Sequence, residues 1–516
     1  MKAKTRSLNR RTAVAHSLLL GLLAGSCQLI QPVSQVPEPD YWPTDGWQSA
    51  PPETQGIDSE KLAELLLAIR EDNIPVHSLL LIRNGYVVVD ATFYPYDGQT
   101  VHNVASVTKS LMTTLIGIAA DQGMLDLDDT MVSFFPDRSI ANLDERKEAI
   151  TVRHLASMSS GLDCTAEGDE RTLQEMVASP DFVQFVLDRE VAWVPGAHFV
   201  YCSPAIHLLS PILQQATGLS ARDFARQYLF EPLGFAEIMW PKDPQGYYDG
   251  WADLSLLPQD MAKLGFLFLN LGQWDGKQIS RQWVEEATQA QVGAPGGEVD
   301  PYGYGWWIET DVKGAHAQGR GGQNIYVFPE WDMVIVTTGG GFEMDEIAGP
   351  LLASFSDFEK PLPANAEGVA RLEAAIDAVA QPPEREPVAP LPDAAQEISG
   401  QTYVFAPNPA KLETIAFEFD GSSEAIFSFS GDGQPLVSPL VGLDGLYRFS
   451  TGPDGRPVAF RGAWTDAQIF LLEYDGITNN DHSLFEFRFE DDQVVVEVRE
   501  TAHEVGAQFV GRLQQP

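Results

Sequence analysis

Ser106 and Lys109 form the only Ser-x-x-Lys in the chain. On a helix, residues three apart share a face. A serine hydroxyl is a weak nucleophile until a base takes its proton. A lysine amine can be that base where its surroundings disfavour the ammonium form. Backbone N–H groups at a helix start would also favour negative charge developing beside the serine. The run 111–116 (Leu-Met-Thr-Thr-Leu-Ile) is apolar enough to continue as a buried helix. The tetrapeptide alone is also what a surface helix produces by chance, so its surroundings must decide.

The patterns around it predict which elements hold the pair. A helix starting near Asp58 or Ser59 would carry Leu62, Leu65, Leu66 and Ile69 on one face. Two apolar runs, 78–83 and 86–93, are joined by Asn84-Gly85, a strong hairpin signal. Helical patterns dominate from 106 to about 290. Strand-like runs return at 305–308, 325–328 and 333–338, followed by helices over 345–358 and 366–380. Strands at both ends with helices between imply a mixed α/β domain over 53–380, its sheet assembled from distant segments. A Pro-rich linker at 381–394 follows, and then the texture changes. Short alternating runs at 415–419, 424–429, 467–472, 484–489 and 493–499 predict an all-β barrel or sandwich over 395–516.

The 516 residues are enough for two or three domains, and 33 Lys plus Arg against 73 Asp plus Glu give a net charge of −40. Nucleic-acid phosphates would be repelled by such a chain. The charge serves solubility, with attraction of cationic substrates as the alternative. Residues 1–27 read as an export signal: a basic start (Lys2, Lys4, Arg6, Arg10, Arg11), the apolar run 18–24, and small residues before Cys27. That order resembles a bacterial lipoprotein signal, with lipidated Cys27 attaching the chain to a membrane, although Leu23 stands four residues before the cysteine rather than three. Ordinary cleavage is the alternative. Both place the chain outside the cytoplasm, in the periplasm or on a membrane. Residues 28–52, rich in proline, read as an extended tether. Cys164 and Cys202 remain, as one disulfide in an exported chain or as two free thiols. No Cys-x-x-Cys, His-Glu-x-x-His or Gly-x-Ser-x-Gly occurs. No metal or organic cofactor is called for, and the stretch 272–277 reads as a surface turn rather than a phosphate loop.

Four ordered segments reverse the weighting of the Ser-Lys pair. The stretch His102–Ser110 resembles the nucleophile segment of serine β-lactamases and penicillin-binding proteins, especially class C β-lactamases and their esterase relatives. Thr151–Leu162, Leu257–Gly265 and Gly319–Gln323 with the following 325–330 resemble further hallmark segments of that family. The resemblance covers about 50 to 360. It implies a β-lactamase-like mixed sheet flanked by helices plus an all-helical region. It also implies Ser106 as nucleophile and Lys109 as its activator. In the place of the family's Tyr-x-Asn stands Tyr201-Cys202-Ser203. By resemblance Tyr201 is the proton shuttle, and Ser203, replacing Asn, is expected to hydrogen-bond Lys109. Both cysteine regions border the site in the family, so a Cys164–Cys202 disulfide would brace the pocket.

In the place of the strand motif Lys-Thr-Gly stands Ala317-Gln318-Gly319, so the cation that helps hold a substrate carboxylate is missing. Arg320 follows at the position whose backbone N–H, with that of Ser106, forms the family's oxyanion hole. His316 is one residue off and would point to the other face of the strand. His102 and His316 read as structural histidines. Tyr302, Tyr304, Trp306 and Trp307 cover the sheet near the pocket or fill the core. The resemblance is nearest to the aminohexanoate-dimer hydrolase and esterase branch. It implies a serine hydrolase acting through an acyl-enzyme on small-molecule esters or amides. A β-lactamase or peptidoglycan D-peptidase, and a penicillin-binding sensor that does not turn over, are the alternatives.

Overall fold

The computed structural model describes residues 38–515 except 165–170, 237, 279–280, 294–299, 357–359, 432, 453–454, 481 and 502–504. The expected export signal and Cys27 lie outside the described residues. No described helix is long and apolar enough to cross a membrane.

Helix α1 (Ser59–Glu71) begins where Asp58 accepts hydrogen bonds from the Glu60 and Lys61 amides, and Leu62, Leu65, Leu66 and Ile69 are buried. Strands β1 (Val76–Arg83) and β2 (Tyr86–Thr92) follow as a hairpin. Its turn places Asn84 at φ 51° and Gly85 at φ 80°, the left-handed pair that a tight two-residue turn requires. Helix α2 (Val107–Asp121) is buried on every side from Val107 to Ala119. A helix buried all round belongs inside a core, and α2 runs between the sheet and a region of short helices such as Val152–Ala156 and Leu209–Thr217.

Helix α3 (Pro258–Leu269) packs on the sheet through Gly265, where a Cβ would lie 2.6 Å from Val334 Cγ1. The sheet is completed by β3 (Trp307–Glu309), β4 (Gly314–Gly319), β5 (Gln323–Phe328) and β6 (Met333–Gly339). Its order is β2-β1-β6-β5-β4-β3 with every neighbour antiparallel. The two distant groups of strands thus meet through β1 and β6. Leu80 and Ile82 of β1 face the core around α2 and α3, whereas Leu79 and Leu81 face α1, α4 (Asp345–Ser354) and α5 (Ala366–Ala380). Burial on both faces explains why β1 reads as a continuous apolar run rather than an alternating one.

Residues 38–52 depart from the expected tether. Trp42 packs against Phe266 and Trp274, Trp47 against Phe266, and Trp274 Nε1 donates to Thr44 Oγ1 at 2.9 Å. Three aromatic contacts among these four rings outweigh the extended preference of the prolines, and the segment lies on the core.

The C-terminal part is a closed barrel. Its strands are β7 (Thr402–Phe405), β8 (Leu412–Phe419), β9 (Glu424–Gly431), β10 (Leu440–Gly442), β11 (Pro457–Asp466), β12 (Ile469–Gly476), β13 (His482–Glu490), β14 (Gln493–Glu500) and β15 (Val505–Leu513). The order β8-β7-β15-β14-β13-β12-β11-β10-β9 returns to β8, because β8 also pairs with β9. Closure removes the exposed edges and decides for a barrel over a sandwich. Phe417, Phe427, Phe470 and Phe487 meet inside, at centroid separations of 4.8 to 5.9 Å. The barrel packs against the hairpin end of the first domain. Tyr96 donates to Asp475 Oδ1 at 2.8 Å, and the Tyr447 amide donates to Tyr94 Oη at 3.1 Å.

Candidate active site

The turn before α2 positions the serine. Ala105 holds φ 47°, an uncommon conformation for a residue with a Cβ. Its amide donates to Asn103 Oδ1 at 2.7 Å, which anchors the turn. Ser106 then occupies the N-cap of α2, yet its side chain makes no capping bond. Its Oγ lies 2.6 Å from Lys109 Nζ instead. Lys109 is 1% exposed, and its amine also donates to the Trp251 carbonyl at 2.7 Å and sits 4.9 Å from the Tyr201 ring centre. Among the described residues no carboxylate lies within ion-pair distance of it.

Tyr201 is carried on a loop pinned to the segment 151–162. The Val200 amide donates to Met158 O at 2.8 Å, and the Gly196 amide to Ser159 O at 2.8 Å. Gly161 must be glycine: at φ 75° it passes so close to Trp193 that a Cβ would lie 2.3 Å from that carbonyl. Cys164 and Cys202 are joined in a disulfide, tying the same two stretches together beside the tyrosine. The Tyr201 ring lies parallel to Trp307, 6.3 Å away.

The strand motif closes the other wall. A Cβ on Gly319 would meet Val104 O at 2.4 Å and Ala105 Cβ at 3.1 Å. Only glycine therefore lets β4 approach the serine turn so closely. Ser106, Tyr201, Gln318, Gly319 and Arg320 all line one cleft of about 890 Å³. Neither the Ser106 nor the Arg320 amide finds an acceptor among the described residues. Unpaired N–H groups that converge beside a nucleophile can stabilise a tetrahedral oxyanion. Ala317 is buried and Gln318 is exposed in the cleft, so neither of these motif positions places a cation there.

One expected contact is absent. Ser203 Oγ is buried with no hydrogen-bond partner among the described residues and does not reach Lys109. A hydroxymethyl group is shorter than a carboxamide, and the Trp251 carbonyl takes the second bond of the amine. The histidines stay outside the cleft lining. His102 is buried between His77 Nδ1 at 2.8 Å and Asn103 O at 2.9 Å, and burial pushes it down to about 4. His316 lies 2.9 Å from Glu309 Oε1 and stacks on Tyr326. Trp307 lines the cleft, whereas Tyr302, Tyr304 and Trp306 are core. Three lining or holding groups leave no trace in the local sequence: the Trp251 carbonyl, Thr501 and Asn480, all more than 100 residues from the positions they touch.

The loop that presents Trp251 carries a buried carboxyl. Asp249 is pushed up to about 7 by burial, with Asp253 and Asp243 adding to it, and its Oδ1 has no partner. The unfolded carboxyl titrates near ~3.9. Between those values the folded chain binds the extra proton, so stability falls as pH rises from about 4 to about 7 and stays low above it. Asp249→Asn is expected to raise the Tm at pH 8 by a few degrees and to flatten this slope, with no gain at pH 3.5. Thermal melts across that range check it; a lower Tm for the variant at pH 8 would contradict it.

Comparisons with known proteins agree with this geometry. A family profile described as Beta-lactamase matches residues 60–349. Protein flp of Staphylococcus aureus (strain MW2) is 24% identical over 32% of this chain and 34% of its own length. The 6-aminohexanoate-dimer hydrolase of Paenarthrobacter ureafaciens is 25% identical over 50% of this chain and 71% of its own. This chain thus spans about a third of the first relative and 43% of an Escherichia coli (strain K12) Beta-lactamase. Among solved structures, a Bacillus anthracis chain provisionally assigned as a 6-aminohexanoate-dimer hydrolase superposes with a TM-score of 0.52 at 20% identity, over 62% of this chain and 89% of that one. The profile covers more than half of the 516 residues, and the chain belongs to the β-lactamase family of serine-nucleophile proteins.

Proposed function

We propose that this protein is a serine hydrolase that cleaves ester or amide bonds of small molecules through an acyl-enzyme. The observation that carries the reading is the 2.6 Å contact between Ser106 Oγ and the buried Lys109 amine. Ser106 Oγ attacks the substrate carbonyl as its proton passes to Lys109. The Ser106 and Arg320 amides bind the oxyanion. Tyr201, with its hydroxyl bonded to no described group, hands a proton to the leaving alcohol or amine. Water then enters along the same proton path, and the acid leaves with Ser106 restored. No step in this scheme needs a metal or organic cofactor.

The strand residues Ala317 and Gln318 favour esters and amides over β-lactams, since neither supplies a cation for a substrate carboxylate. Relatives whose names state an aminohexanoate-dimer hydrolase or a methylbutanoyltransferase support the same preference. A side-by-side assay with p-nitrophenyl butyrate and a chromogenic cephalosporin tests it. Ester turnover well above cephalosporin turnover is expected. The reverse order would make the protein a β-lactamase or D-peptidase, and a stable penicillin adduct without ester turnover would make it a sensor. Export, with Cys27 lipidated or the signal simply cleaved, belongs to the same proposal. The Cys164–Cys202 disulfide supports an oxidising compartment, and the mass of the mature N-terminal peptide tells the two endings apart.

A further inference from the structure

The barrel reaches into the site at two points through one short loop. Residues 477–480 lie between β12 and β13, and Ile477, Thr478 and Asn480 are each at most 4% exposed. The Asn103 amide donates to Thr478 O at 2.7 Å. Asn103 is the residue whose side chain anchors Ala105, next to the nucleophile. Two residues further along the loop, Asn480 Nδ2 donates to Arg320 O at 2.9 Å. The loop therefore grips both stretches that supply the oxyanion amides.

The second grip matters because it holds the Arg320 carbonyl just before two glycines, whose own carbonyls are held from the first domain by the Gly341 amide at 3.0 Å and Thr337 Oγ1 at 2.8 Å. Gly321 and Gly322 follow Arg320 at φ 87° and 94°. Consecutive glycines in that region do little to restrain the chain by themselves. The Arg320 carbonyl has two donors: Gln323 Nε2, from the same hairpin, at 3.3 Å, and Asn480 Nδ2 at the shorter distance. A Cβ on Gly321 would lie 3.1 Å from Asn480 Nδ2, so the two are in close contact. Thr501, also from the barrel, donates to Gly340 O at 3.4 Å and lines the cleft.

We propose that Asn480 is a positioning residue for the reaction: by holding the Arg320 carbonyl it fixes the backbone on the far side of the Arg320 Cα, and so the orientation of the neighbouring peptide unit whose Arg320 N–H meets the oxyanion, and the catalytic site is incomplete without the barrel. This rests on the hydrolase reading above. Removing the Asn480 amide leaves the Arg320 carbonyl with only the longer bond from Gln323, so the backbone about the Arg320 Cα can turn and its N–H no longer waits at a set place. Substrate binding uses the rest of the cleft and is little affected.

Asn480→Ala and Asn480→Asp remove the donor, the second with almost no change in shape. Both are expected to lower kcat on p-nitrophenyl butyrate by about 10- to 100-fold with KM within about twofold. The rate at which a fluorophosphonate labels Ser106 should fall with them, since phosphonylation also places negative charge at the two amides. Tyr96→Phe breaks the separate domain contact to Asp475 and leaves Arg320 alone, so its kcat and labelling rate should stay within about twofold of wild type. Wild-type labelling and kcat in both Asn480 variants would overturn the proposal. So would a Tyr96→Phe loss equal to theirs, which would trace the effect to general loosening of the interface. A wild-type protein that the fluorophosphonate does not label would instead overturn the hydrolase reading.

Discussion

Ser106→Ala is expected to lower kcat on any ester or amide substrate by about 10⁴-fold or more, to a residue of activity from the oxyanion amides alone. The fold should not notice. Ser106 Oγ caps no helix amide, and its one hydrogen-bond partner is Lys109 Nζ. Alanine therefore gives up no capping bond at this N-cap position, and the Tm should stay within a few degrees of wild type. Fluorophosphonate labelling should disappear in the variant. A variant that kept wild-type turnover would remove the serine from the chemistry and with it the proposed mechanism.

Lys109→Met comes next in size. The replacement keeps the length of a side chain that is 1% exposed, and Met adapts to irregular gaps. Acylation then lacks its proton acceptor, and kcat/KM should fall by about 10³-fold or more. Two effects on stability oppose each other. Losing the buried amine removes a desolvation cost, whereas the Trp251 carbonyl loses its donor, which costs about 1 to 3 kcal/mol if water cannot replace it. The cleft adjoins Trp251, so water can replace it, and the net change should be small. Fluorophosphonate labelling should slow in step with ester turnover, while KM moves little. Equal losses in kcat and in folded fraction would mean that Lys109 is structural.

Features that act over a few residues are the legible ones. A helix repeat puts positions 106 and 109 on one face whatever surrounds them, and the Ser106–Lys109 contact follows from that. Asp58, the Asn84-Gly85 turn and the stripe of Leu62, Leu65, Leu66 and Ile69 act within a few residues, so α1 and the first hairpin are readable from the residues alone. The docking of residues 38–52 is not, because prolines at 43, 51 and 52 say nothing of the distant Phe266 and Trp274 on which Trp42 packs. The bond expected between Ser203 and Lys109 fails for the same reason: the acceptor that takes its place comes from residue 251.

Residue types and their spacing by themselves determine the Ser106–Lys109 pairing, the absence of a lysine at 317, the alternation that makes the C-terminal part all-β, and a net charge of −40. Those properties depend on the identity of a residue and on neighbours within a turn or a strand. Only the tertiary structure decides that the last strands close into a barrel, because closure rests on pairing β8 with β9 and β7 with β15 rather than on any one strand's pattern. It alone brings Trp251 to Lys109 and Asn480 to Arg320, 142 and 160 residues apart. A hydrogen bond to a backbone carbonyl leaves no mark on the residue that accepts it, so such partners appear only when the chain is folded.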